Sequence, residues 1–212
     1  MNKLLIFILL IPQLFWGQAI SFEVGTVSSS YYYKNSQNEK LTTLDPGRST
    51  GVALKGYKSL GRPIDARSLK FGLRYQQLNA QGYAVDVPLN YQTQFLSLSG
   101  AYEINPYTIY VNEYCANCVK IRVITSLGGE VAKILSGTQK VGNRETYNLA
   151  DEAEFNGVLF GPVGAVGFEV DLFNSTTMLL NYNYTYFFNS HSTPERLHFG
   201  RGMLSLGIKS AL

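Results

Sequence analysis

Three groups of side chains in this sequence have residue types that could carry chemistry. Cys115-Ala116-Asn117-Cys118 has the spacing of a redox pair. Such a pair works where a helix N-terminus lowers one thiol's pKa within an alternating strand-helix fold. No such alternation surrounds it, so the expectation is a small structural disulfide between Cys115 and Cys118, formed in an oxidising compartment. Two cysteines do not complete a four-ligand zinc site, and the only histidines, His191 and His198, lie elsewhere. No metal and no cofactor are expected.

The second group is Asn189-Ser190-His191-Ser192-Thr193-Pro194-Glu195, which holds the residue types of a Ser-His-Glu hydrolase. Catalysis needs a base within hydrogen-bond reach of the nucleophile and an acid that orients it, and adjacency in a polar loop supplies neither. A solvated loop is expected, with no catalytic residues. The third group is charge: Lys70, Arg74, Lys120, Arg122 and Lys209 with Glu130, Glu169 and Asp171, all on the polar parity of otherwise apolar stretches. Opposite charges neutralise one another inside a narrow barrel, whereas a lipid-facing Arg or Lys at mid-bilayer costs roughly 2–4 kcal/mol. These eight residues are therefore expected in a barrel interior.

The elements that hold them repeat one pattern. From Thr177 to Phe188, Met178, Leu180, Tyr182, Tyr184, Tyr186 and Phe188 share one parity and Asn181, Asn183 and Thr185 the other. A period of two is a strand pattern, and the length approaches the roughly 9–11 residues that cross a bilayer at a tilt. Similar stretches are expected at 20–33, Gly51–Ser59, Ser68–Gln77, Leu89–Tyr102, Val119 to about Leu135, about Gly157–Leu172 and after 198. In the fourth, Tyr91, Thr93 and Phe95 give way to Leu96, Leu98 and Tyr102, which predicts a β-bulge near Phe95. The connections are read as loops at 34–49, 79–88, 103–118, 136–155 and 189–198, with shorter turns near 60–66 and 173–176.

Before them, Asn2 and Lys3 precede an almost wholly apolar run from Leu4 to Trp16, followed by Gly17-Gln18-Ala19. This reads as a secretory signal peptide over residues 1–19, cleaved after Gly17 or Ala19, and one domain over 20–212. Charged residues make up 16%, below the ordinary soluble level, and aromatics 13% with 15 Tyr and 12 Phe. The net charge of +3 lacks the concentrated basic patch of a nucleic-acid surface, so no direct nucleic-acid binding is expected.

Alternation alone fits a soluble barrel with an apolar interior equally well. Longer loops on one side, short turns on the other and charges of both signs on the polar face favour the membrane form. The fold expected is all-β, an eight-stranded antiparallel transmembrane β-barrel of outer-membrane type. Leu69, Phe71, Leu73, Leu180 and Tyr182 then face lipid, and Lys70, Arg74, Asn181 and Asn183 the lumen. A barrel of this size is filled by its own side chains, which argues against a conducting pore.

Four runs between Ser68 and Lys209 stand out: Val87-Pro88 leading through Tyr91 to Gly100-Ala101-Tyr102, Ser126-Leu127-Gly128-Gly129-Glu130, Phe160-Gly161 through Gly164 and Gly167 to Phe168-Glu169-Val170, and Gly202 through Leu204 to Gly207-Ile208-Lys209. In these the sequence resembles TraO, a conjugative-transposon family of small outer-membrane barrels in Gram-negative mobile elements. The resemblance implies an outer-membrane location and an accessory or structural part in a conjugative DNA-transfer apparatus. The partners implied are outer-membrane lipid and other transfer-apparatus proteins. A generic surface barrel that binds a partner or ligand through its outer loops is the alternative, and a lipid-modifying enzyme a more distant one.

Overall fold

Alternation does form strands throughout, and they close on themselves. The computed structural model describes residues 18–34, 37, 44–60, 67–84, 87–111, 119–142, 145–149, 152, 155, 157–173, 175–190 and 196–212. The strands are β1 (Ala19–Lys34), β2 (Leu44–Ser59), β3 (Arg67–Ala84), β4 (Val87–Val111), β5 (Val119–Val141), β6 (Glu145–Asn148), β7 (Val158–Phe173), β8 (Thr176–Asn189) and β9 (Arg196–Ala211). Every pairing is antiparallel, β4 pairs with β5, and β1 pairs with both β2 and β9. Eight strands thus make a ring, and the short β6 only flanks the end of β5.

The register sets the shape of the ring. From Ala19 the paired residues run through Tyr57, Lys70, Ala101, Gly128, Val163, Thr185 and Arg201 and return to β1 at Ser29, ten residues further on. That stagger tilts the strands by roughly 35–45°. The start of β1 and the end of β9 meet at one rim, where the Gln18 N–H donates to the Tyr57 carbonyl and the Leu212 N–H to that of Gln18.

Outward residues form the apolar wall: Leu73 is 44% exposed, Leu180 39% and Tyr182 48%, whereas Lys70, Arg74, Asn181 and Asn183 are buried inside. Phe71 also faces out, and Leu69 is half-buried. Gly161 lies where a Cβ would collide with the Tyr186 carbonyl, so only glycine permits that approach of β7 to β8.

Several expected boundaries are corrected. Residues 79–88 are largely strand, because β3 runs to Ala84 and β4 starts at Val87. The stretch 103–118 is not one long connection, since β4 continues to Val111 and β5 starts at Val119. β2 begins already at Leu44 and accommodates Pro46-Gly47 at an irregularity in its pairing with β3. The register of β4 with β5 does shift between Gln94 and Phe95, but the extra residue is Leu135 on β5. β4 keeps one parity: Thr93, Phe95, Ser97 and Glu103 all point inward. What changes near Phe95 is the filling of the lumen, polar on one side and apolar on the other. Residues 1–17 of the expected signal peptide, Cys115 and Cys118, and His191 to Glu195 lie outside the described residues, while Ala19 is the first residue of β1.

Candidate functional site

The lumen is filled in layers, each built from inward residues two apart on neighbouring strands. Nearest the rim where β1 starts and β9 ends, Glu169 accepts from Lys209 Nζ at 2.7 Å and from Arg122 Nε at 3.0 Å. The Arg122 guanidinium also donates to both oxygens of Asp171, at 3.0 and 2.5 Å. Lys70 Nζ donates to Glu103 and to Ser126 Oγ, both at 2.9 Å. Deeper in, Glu23 accepts from Lys55 at 2.6 Å, Ser205 at 2.8 Å and Asn181 at 3.2 Å.

Glu130 is the centre of the last polar layer. Arg201 grips it with two nitrogens, at 2.7 and 2.8 Å, and Arg74 Nη1 reaches its two oxygens at 3.0 and 3.1 Å. Ser97 and Thr185 donate as well, at 2.5 and 3.0 Å. Glu130 and Arg201 are fully buried, a setting in which each charge depends on the others for solvation.

Above this layer the lumen turns apolar. Phe95, Phe187, Phe199, Leu78 and Met203 are completely buried and pack together with Tyr31. Phe199 meets Phe95 edge-on at 5.3 Å between centroids and Tyr31 at 4.9 Å. The Tyr31 hydroxyl donates to the Leu78 carbonyl at 2.9 Å, which satisfies its polar end within the plug.

On the far side of the plug, at the rim opposite Gln18 and Leu212, is a cup of about 390 Å³. Tyr31, Tyr91, Tyr147, Leu149, Phe155 and Leu197 make most of its wall, and Gln139 and Glu152 contribute polar groups. Gln139 Nε2 donates to the Tyr91 hydroxyl at 2.9 Å. Tyr147, on β6, donates to the Glu145 carboxylate at 2.6 Å, a bond that raises the phenol's pKa. Its volume lies at the low end of the range spanned by small-molecule pockets.

Of the charges singled out in the sequence, Lys70, Arg74, Arg122, Glu130, Glu169, Asp171 and Lys209 are placed within the layers. Lys120 is not: it lies past the rim, exposed, with its ammonium 5.9 Å from the Tyr110 ring. Its parity is inward, but β5 has left the closed ring by that point. Sequence reasoning missed Glu23, Lys55, Glu103 and Arg201. Glu23 and Lys55 share inward parity with their neighbours and were legible. Glu103 was hidden by a strand end placed at Tyr102, whereas Arg201 lies within the expected last strand on the parity of Met203 and Ser205 and was legible too.

With this geometry in view, the comparisons with known proteins bear on the fold. No protein-family model and no curated protein matches the chain. Solved structures do: the outer-membrane protein OprG of Pseudomonas aeruginosa aligns over 92% of this chain and 97% of its own at 12% identity, with a TM-score of 0.53. The chain is an outer-membrane-type β-barrel. The Neisserial surface protein NspA, at 11% identity over 92% of this chain and 99% of its own, scores 0.42. The N-terminal barrel of Pseudomonas aeruginosa OprF, at 11% identity over 92% and 98%, scores 0.43.

Proposed function

We propose that this chain is a closed outer-membrane barrel that serves as a fixed, non-conducting component, in the setting of a conjugative DNA-transfer apparatus. The observation that supports a non-conducting role is the sequence of fillings across the lumen, three ion-paired layers followed by an aromatic plug. The support for the transfer setting is the resemblance of residues 68–209 to the TraO family. In a donor strain, deletion of the gene is expected to lower plasmid or transposon transfer without altering outer-membrane permeability to small solutes. Undiminished transfer refutes the setting, and single-channel conductance from the purified barrel refutes the closed lumen.

The cup supports a second reading, a surface barrel that holds a small ring-bearing molecule at its outer end. Its floor is the plug, so such a ligand is retained there and not passed on. Fluorescence titration with 1-anilinonaphthalene-8-sulfonate tests it: binding weakened by Tyr91→Ala and unaffected by Leu180→Ala supports the cup, and equal binding by both variants refutes it.

A further inference from the structure

The cup above the plug is walled by inward positions of β1, β4 and β5 and by residues that follow β6. Tyr31, Tyr33, Tyr91, Tyr147 and Phe155 put five rings around its volume of about 390 Å³. Tyr31 and Tyr91 stand 6.0 Å apart between centroids, tilted by 40°, and Phe155 meets Phe199 of the plug at 6.4 Å. Tyr33, Tyr91 and Phe155 all pack against the buried apolar cluster, so the rings are held by the filling of the lumen beneath them. A ligand that enters finds a wall already in place.

Among the described residues that line the cup, the charged one is Glu152. Two neighbours anchor it. Leu149 is 2% exposed and sits against Gly137, where an added Cβ would come within 3.0 Å of the Leu149 Cβ. Phe155 is the second anchor, through its contact with Phe199. Between them the Glu152 N–H donates to the Leu149 carbonyl at 3.2 Å, and the Glu152 carbonyl accepts from the Phe155 N–H at 3.1 Å. Glu152 is thereby fixed at the cup while its side chain stays exposed. A second carboxylate, Glu145, accepts from the Tyr147 hydroxyl at 2.6 Å and adds negative charge beside the same wall. Lys140 follows Gln139 in sequence but has the opposite parity and is exposed on the other face of β5.

Aromatic rings are negative on their faces, and a carboxylate beside them adds to that potential, so the combination favours a cation and disfavours an anion. The kind of cation follows from the wall. A primary ammonium carries three N–H donors that each need an acceptor, whereas an alkylated ammonium spreads its charge over methyl groups that rest on rings. Five rings and one lining carboxylate suit the second. We propose that the cup is a binding site for a small alkylated ammonium ion, with its methyl groups against the rings and its charge balanced by Glu152. This rests on the reading of the cup as a small-molecule site, and it names the chemical class of the ligand.

The test uses the full barrel in lipid nanodiscs with (3-hydroxyphenyl)trimethylammonium and 3-tert-butylphenol, which share a shape and differ in charge. Binding is followed by NMR through the methyl groups of Leu149 and Leu197 in the cup, with Leu206 on the outer wall as the control. The ammonium compound is expected to shift the cup methyls and to bind about tenfold more tightly than its uncharged counterpart. Tyr91→Leu is expected to weaken it by about threefold or more, and Tyr91→Phe, which keeps the ring, to leave it near the parent value. Glu152→Gln changes an exposed side chain, and it is expected to weaken the ammonium compound about threefold and to strengthen 1-anilinonaphthalene-8-sulfonate by a similar factor. Equal affinity for the two counterparts overturns the proposal and leaves the cup reading standing, whereas no shift of the cup methyls with either compound overturns both. Shifts at Leu206 as large as at Leu149 also overturn it, because the compound is then dissolved in lipid. Undiminished binding of the ammonium compound by Glu152→Gln overturns it as well, since the counter-charge is then not this carboxylate.

Discussion

Glu130 is one carboxylate gripped by two buried arginines, and its removal leaves both cations in a space that water does not reach. Glu130→Gln is expected to destabilise the barrel by about 3–5 kcal/mol, the usual cost of breaking a buried ion pair from one side. Urea unfolding in lipid vesicles measures it. Glu169→Gln should cost less, because its partners Arg122 and Lys209 are 26% and 19% exposed and find water. Period-two parity made Glu130, Arg74 and Asn183 legible as inward residues. It did not reveal that Arg201 crosses the lumen to Glu130, since parity gives a face and contains no distance across the ring.

Strand β5 shows what a single residue does to an element. Up to Ile134 its even-numbered residues point inward, and after Leu135 the odd ones do, which turns Gly137 and Gln139 toward the interior. Deleting Leu135 is expected to remove the bulge and leave the ring closed with Ser136 still opposite Gln94, so that Gln139 keeps facing in and keeps its bond to Tyr91. A cysteine in place of Gln139 should then stay protected from a lipid-side maleimide with or without Leu135, and labelling in the deletion variant contradicts the assignment of Leu135 as the extra residue. On the wall, Leu73→Arg is expected to cost roughly 2–4 kcal/mol, measured by urea unfolding in lipid vesicles. Strand centres were legible from alternation that a bilayer enforces. The ends of β3 and β4 beyond the wall were not, because there the outward residues Asn79, Gln81, Asn90 and Gln92 are polar while the inward Leu78, Ala80 and Leu89 are apolar and buried, the reverse of the pattern on the wall.

For the molecule as a whole, closure is what separates an outer-membrane barrel from an open sheet. The folded chain is expected to fractionate with outer membrane and to run faster on a gel before heating than after it. Recovery in the soluble periplasmic fraction contradicts this. The number of strands and the inside-out polarity could be read from the sequence, since both follow from side-chain pattern. The stagger of the ring could not, because it depends on which residue of each strand meets which of the next.

That ring is joined along a seam between the first strand and the last, where Glu23 accepts a hydrogen bond from Ser205, 182 residues away in sequence. A cylinder of this kind has no partial form: until the final sixteen residues of β9 arrive, β1 and β8 are both bare edges and Glu23 lacks part of its shell. The nascent chain must therefore be kept from joining other strands until its end has been delivered. Truncation before Arg196 should yield a species that aggregates, and a smaller barrel should not form.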